Sequence, residues 1–215
     1  TIYFQSGSLV GGDGGRAIGS QGELIANGGD ALSTGVDVNI GILTDEFSMK
    51  GGNGGAVTSS LAGISASASG GDGFKYSSVN LNARNIPFPR DTTLTNVFSA
   101  GIYVGGKGGE ATGQIAVAAD GGNGVFSVLQ LIDISGGVFI GGDGGFAVSQ
   151  SNTDSGSAMG GDGFVSHRNH HLKISGGDFY GGAGGTLNGV LDDNGAGVRA
   201  IDTDVSVSGG NFYGM

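Results

Sequence analysis

The sequence predicts an all-β fold, a single-domain parallel β-solenoid spanning residues 1–215. Three observations lead there: an imperfect glycine-rich repeat of roughly 40 residues, apolar residues alternating with a period of two, and glycine pairs at regular places between the alternating segments. The 50 glycines in 215 residues lack the every-third-residue spacing of a collagen triple helix. The hydrophobic share of 37% is too high for a disordered linker, so a packed core is expected.

The repeat reads most clearly in Leu172 to Gly185, LKISGGDFYGGAGG, and in Leu131 to Gly145, LIDISGGVFIGGDGG; Val205 to Gly214 begins it again. Aligned copies start at Gln5, Asp45, Ser99, Ser135, Ser175 and Ser208, giving spacings of 40, 54, 36, 40 and 33. A second motif lies between them: Gly28-Gly29-Asp30, Gly71-Asp72-Gly73, Gly121-Gly122-Asn123, Gly160-Gly161-Asp162 and a degenerate Gly195-Ala196-Gly197. Because the two motifs differ in their flanking segments, one coil of roughly 33–40 residues is expected to carry both, rather than two coils of about 20.

Ile132 and Ile134 flank Asp133, Leu172 and Ile174 flank Lys173, and Val205 and Val207 flank Ser206, which makes one strand per copy with a single buried face. After the Ser-Gly-Gly bend a second strand places Leu9, Met49, Tyr103, Phe139, Phe179 and Phe212 at one aligned position, an expected interior column. Their successors Val104, Ile140, Tyr180 and Tyr213 then face outward as an apolar stripe suited to lateral assembly. A third strand is expected after the second motif, at Phe74 to Val79, Val125 to Leu129 and Phe164 to His167. The glycine pairs read as corners that supply positive φ and close backbone approach. Both prolines, Pro87 and Pro89, fall in the longest interval, and proline is excluded from central ladder positions, so residues 80–98 read as a protruding loop.

The LxISGGxF core followed by a glycine-rich segment resembles the right-handed parallel β-helix repeat of pectin-lyase-like extracellular proteins, along nearly the whole chain. The resemblance implies an extracellular or cell-surface place and a choice among polysaccharide lyases and hydrolases, phage tailspikes, adhesin passengers and repetitive algal surface proteins. Residues must decide between them.

Those residues point away from catalysis. The calcium-binding β-roll nonapeptide GGxGxDxUx needs Asp at its sixth position, where this chain has Arg16, Ala56, Lys75, Glu110, Phe126, Phe146, Val165 and Thr186. Asp30, Asp72 and Asp162, in column with Asn123, remain weak calcium candidates, since stacked carboxylates repel unless a cation or backbone N–H groups neutralise them. His167, His170 and His171 converge on a metal only on a helix, and a strand-connecting loop is expected there. Asp192-Asp193 is similar to the aspartate pair of β-helical polygalacturonases, but companion basic and histidine motifs are not recognisable and a turn is the expected use. Gly105 to Gly109 lacks the Gly-Lys-Ser/Thr ending of a phosphate loop.

A formal charge of -10 argues against nucleic acid as a partner, no apolar run reaches the roughly 20 residues of a membrane helix, and no cysteine is present. The expected role is a non-enzymatic filament or appendage component, without cofactor, that associates with itself or with neighbouring segments of a larger fibre. An adhesin stalk binding glycan and a polysaccharide lyase or hydrolase are the alternatives. Thr1 to Phe4 begins inside a strand and Met215 stops shortly after Phe212, so the stack is expected to continue at both ends, by chain extension or by contact with another copy.

Overall fold

The computed structural model describes residues 2–4, 6–20, 23–34, 40–42, 44–59, 65–76, 95–128, 130–150, 156–169 and 171–215. Among these the chain is all-β, without helices, and builds five sheets in which every strand pairing is parallel except one. The fourth copy shows the path. Leu131–Ile134 belongs to the first sheet, Val138–Ile140 to the second, Phe146–Ser149 to the third, Gly156–Ser157 to the fourth and Phe164–His167 to the fifth. The next copy returns to the first sheet at His171–Ile174, in register with Leu131–Ile134.

Each of the first four repeats therefore gives one strand to each sheet. In the second sheet Leu9 lies beside Met49, Met49 beside Tyr103, then Phe139, Phe179 and Phe212 in turn, which are the offsets of the sequence repeat. The sequence pattern led to three strands per repeat, and the structure has five sheets. The two unforeseen sheets, the third and fourth, turn residues such as Ala111, Ala147, Ala66 and Gly156 inward, and inward positions this small leave little apolar alternation to read.

These side-chain sizes divide the interior in two. A large-residue core between the first, second and fifth sheets holds Phe74, Tyr76, Phe98, Tyr103, Ile134, Phe139, Phe164, Leu172 and Phe179. A small-residue core between the third and fourth sheets holds Val57, Val117 and a set of alanines including Ala68, Ala111, Ala119, Ala147 and Ala158. In the large core Tyr103, Phe139, Phe179 and Phe212 stack face to face with centroid separations of 4.9, 4.8 and 5.1 Å. That interval is close to the strand spacing, so direct register brings each ring onto the next.

Between the two cores the glycine segments cross. Gly29, Gly52, Gly71, Gly106, Gly122, Gly142, Gly161, Gly182 and Gly195 each donate an N–H to the preceding member of a column that starts at the Gly12 carbonyl, at 2.8–2.9 Å. Successive members alternate between the glycine run joining the second and third sheets and the run joining the fourth and fifth. A Cβ on Gly142 would lie 2.0 Å from the Gly106 carbonyl oxygen, a collision of backbone with backbone. Most glycine pairs are thus a waist rather than the positive-φ corners expected from the sequence. Positive φ occurs at the second glycine of the Ser-Gly-Gly bend, at Gly137, Gly177 and Gly210, and at its counterpart Gly101.

Two other expectations change. The stretch 80–98 read as a loop ends in the strand Thr95–Phe98, whose Phe98 fills the large core; residues 80–94, with both prolines, lie outside the described residues. Phe212 is 44% exposed, and Val205 and Val207 are also exposed, because Asn211–Tyr213 and Val205–Val207 carry a paired strand on one side only. The expected strand residues 77–79 and Leu129 are outside the described set, and the fifth-sheet strands there are Phe74–Tyr76 and Val125–Val128.

Candidate functional site

The alternation that sends Phe139 and Phe179 inward sends Ile140 and Tyr180 outward. The outward column of the second sheet is Val10, Lys50, Val104, Ile140, Tyr180 and Tyr213, with Lys50 interrupting its apolar run. Val104, Ile140 and Tyr180 are half-buried, Val10 is 66% exposed and Tyr213 47%. The Tyr180 and Tyr213 rings stack at 4.7 Å, with 7° between planes. Partial desolvation pushes the Tyr180 hydroxyl above its ordinary value, and neighbouring Asp178 and Tyr213 add to the rise.

The second motif builds a ladder of side chains along the run joining the fourth and fifth sheets, in which Asp72 and Asp162 are buried. The Asp30 carboxylate accepts the Asp72 N–H at 2.9 Å, Asp72 accepts the Asn123 N–H at 2.8 Å, Asn123 accepts the Asp162 N–H at 3.0 Å and Asp162 accepts the Ala196 N–H at 2.7 Å. Two cations complete it: Lys75 lies 3.7 Å from both Asp30 and Asp72, and Arg199 Nε lies 2.7 Å from Asp162. The three calcium candidates are thus already faced by N–H groups and cationic side chains of the chain itself. Asn123, in place of a fourth carboxylate, removes two like-charge contacts from the column, one with Asp72 and one with Asp162.

A parallel ladder runs along the waist: Asp13 accepts the Asn53 N–H at 2.7 Å, Asn53 the Lys107 N–H at 3.1 Å, and Asp143 the Ala183 N–H at 3.1 Å. The Lys107 ammonium sits 2.7 Å from Asp143 and holds its carboxyl below the ordinary value, outweighing the rise from partial burial. Asp72 behaves oppositely. Burial pushes its carboxyl up against the pull of the Asn123 N–H and Lys75, and the Asp30 charge adds to the rise.

The two carboxyls have opposite consequences for stability. Asp72, raised in the folded state, holds its proton more tightly there than in the unfolded chain, so it penalises the fold as pH climbs through the raised value and imposes nothing below the ordinary carboxylate range. Asp143, lowered in the folded state, stabilises above the ordinary range, and that contribution disappears as pH falls through the lowered value. Asp72→Asn, which copies Asn123, is therefore expected to raise the urea midpoint at neutral pH and leave it unchanged in acid. Asp143→Asn is expected to lower the midpoint at neutral pH and leave it unchanged in acid.

The histidine segment is not a single loop. His167 ends a fifth-sheet strand, Arg168 turns the corner with φ 53°, and His171 opens a first-sheet strand, where its Nε2 lies 3.0 Å from Ser206 Oγ. His170 is outside the described residues. The buried residue of this corner is Asn169, whose Oδ1 accepts the Gln130 N–H at 2.8 Å and whose Nδ2 donates to Ser166 Oγ at 2.6 Å. Nothing in the local sequence marked Asn169 out, since its partners come from the preceding repeat and the adjoining strand.

Asp192 and Asp193 lie in the irregular stretch that follows the strand Val190–Leu191, not in the turn expected there, with Asp192 Oδ1 accepting the Asp193 N–H at 2.9 Å. Among the described residues no group of three or more His, Asp or Glu side chains is placed to hold a metal ion, and no helix is long and apolar enough to cross a membrane. No protein-family model, curated protein or solved structure matches this chain.

Proposed function

We propose that the passes form a closed β-solenoid of the pectin-lyase-like type, and that the chain is a non-enzymatic structural component of an extracellular filament or appendage, such as an algal flagellar hair or cell-wall fibre. The observation that carries this reading is the pair of continuous columns, the stacked rings of the large core and the hydrogen-bonded glycines of the waist. Together they tie each pass to the next at strand spacing, which favours a stiff rod over a hinged container. The distribution of charge supports it as well: carboxylates are spread along ladders and satisfied by neighbouring N–H groups, rather than converged on a cleft as acid and base.

Lateral association is assigned to the Val104, Ile140, Tyr180 and Tyr213 stripe. Tyr180→Asp with Tyr213→Asp puts two like charges on adjacent rungs of the outer face, where they oppose close contact with an apolar partner. Negative-stain imaging is expected to show bundled material with the native chain and single thin rods with the double variant; bundles unaltered by the change would remove the stripe from the assembly.

The stacked rings of half-buried Tyr180 and exposed Tyr213 favour a second reading, an adhesin stalk that holds glycan. A glycan array probed with the native chain and the same double variant separates the two. Sugar binding lost in the variant supports the stalk, and loss of bundling without sugar binding supports the filament.

A further inference from the structure

We infer that the segment running from Thr186 to Asn194 is a built-in stop, which ends the third and fourth sheets inside the chain and blocks strand addition to them. It is independent of the filament reading. In the third sheet the antiparallel strand Val190–Leu191 lies beyond Thr186–Leu187, in the slot that a parallel strand of the next repeat would take. The intervening Asn188-Gly189 has φ of 52° and 81°, the two positive values required by a two-residue type I′ hairpin. The fourth sheet has four strands, and the fifth repeat places this hairpin where its strand would come.

Side chains of the segment take over the acceptor positions that the missing pass would supply. Ala26, Ala68 and Ala119 donate their N–H groups to the backbone carbonyls of Ser67, Ala118 and Ser157, whereas Ala158 on the next rung donates to Asp192 Oδ2 at 2.6 Å. Gly14, Gly54, Gly108 and Gly144 donate to backbone carbonyls one pass on, whereas Gly184 donates to Asn194 Oδ1 at 2.7 Å. Ser149 N–H reaches Asn188 Oδ1 at 2.8 Å. The same segment supplies a donor: the Gly185 carbonyl accepts the Asp192 N–H at 3.0 Å, where the series Gly55, Gly109 and Gly145 accepts from the following pass.

A carboxylate or amide oxygen presents the acceptor that a peptide carbonyl presents, so three side chains replace a strand without continuing the repeat. An open parallel edge is a template for another chain. The stop shortens that template on the small-residue side to the two-residue antiparallel strand Val190–Leu191, while Val198–Ile201, Val205–Val207 and Asn211–Tyr213 carry the fifth, first and second sheets onward. Asp192 thereby acquires a role as a cap, while the Asp193 backbone carbonyl accepts the Gly160 N–H at 2.9 Å and resumes the series in which Ser69, Asp120 and Met159 accept from Gly28, Gly70 and Gly121.

The test compares the full chain with the double variant Asp192→Ala, Asn194→Ala, with Gly189→Val, and with the conservative Asp192→Asn. Hydrogen exchange is read at Ala158, Gly184 and, as the folding control, Tyr103; sedimentation velocity is read at matched concentration. The double variant is expected to exchange about tenfold faster or more at Ala158 and Gly184, with Tyr103 unchanged, and to sediment as larger species than the native chain. Asp192→Asn, whose single side-chain oxygen can keep the Ala158 bond while giving up the local bond from Asp193 N–H, is expected to leave Ala158 protected and the sedimentation that of the native chain. If the double variant does not fold, Gly189→Val, which strains the hairpin and keeps the acceptors, carries the same two readouts. Unchanged exchange overturns the stop, and faster exchange without larger species reduces it to an ordinary turn that blocks nothing.

Discussion

Replacing Gly142 by Ala is expected to destabilise the fold by about 4 kcal/mol or more, the range in which a single substitution marks a specific steric failure. The added methyl would fall 2.0 Å from the Gly106 carbonyl oxygen and 2.6 Å from its carbon, in a place where both sides are main chain and neither can rotate away. The comparison that gives this number meaning is a series. Gly137 has φ 98°, and a Cβ there would meet the Ala100 carbonyl oxygen at 3.0 Å, so Gly137→Ala carries mainly the left-handed penalty of about 1–2 kcal/mol. A Cβ on Gly12 would meet nothing within 4 Å, and Gly12→Ala is expected to stay within about 0.5 kcal/mol. If corners rather than the waist set the demand for glycine, Gly137 would head the order. Urea unfolding of the three variants decides it.

Phe179→Ala is expected to cost about 3–5 kcal/mol, since the ring is fully buried and the cavity cannot close between two rigid neighbours. Phe139 stacks on one face at 4.8 Å and Phe212 on the other at 5.1 Å. Phe212→Ala, which removes a ring that is 44% exposed, is expected to cost roughly half as much. Because stacked repeats unfold in part, the loss at 179 is expected to appear in hydrogen exchange as deprotection of Asp178–Tyr180 and Asn211–Tyr213 before the rest of the chain. Equal deprotection along the whole second sheet would mean that the passes unfold as one unit.

The large core was legible because its residues advertise it. Ile132, Ile134, Leu172, Ile174 and the aligned aromatic column alternate with polar residues in short stretches between glycines, and the repeat offsets in sequence are the register offsets in space. The small core was not legible. Ala147 and Ala111 face inward beside Ser149 and Gly113, and the contrast between buried and exposed positions is then too weak to announce a strand. Glycine misled for a different reason: sequence shows that a position excludes a side chain, but not whether φ or a crossing backbone excludes it. At Gly142 it is the crossing segment, which comes from another repeat. The stop at Asn188, Asp192 and Asn194 was hidden in the same way. Its aspartate pair looked like a turn with a superficial likeness to catalysis, and only the vacated partners of Ala158 and Gly184 reveal what the segment replaces.

The proposal that this chain builds a fibre rather than a reaction site is tested most directly by electron microscopy of the native material labelled with antibody to this chain. Regular decoration along a filament, with an axial subrepeat near the strand spacing of about 4.8 Å in its diffraction, is the predicted result. Label confined to dispersed single particles, with no filament bearing it, would contradict the account.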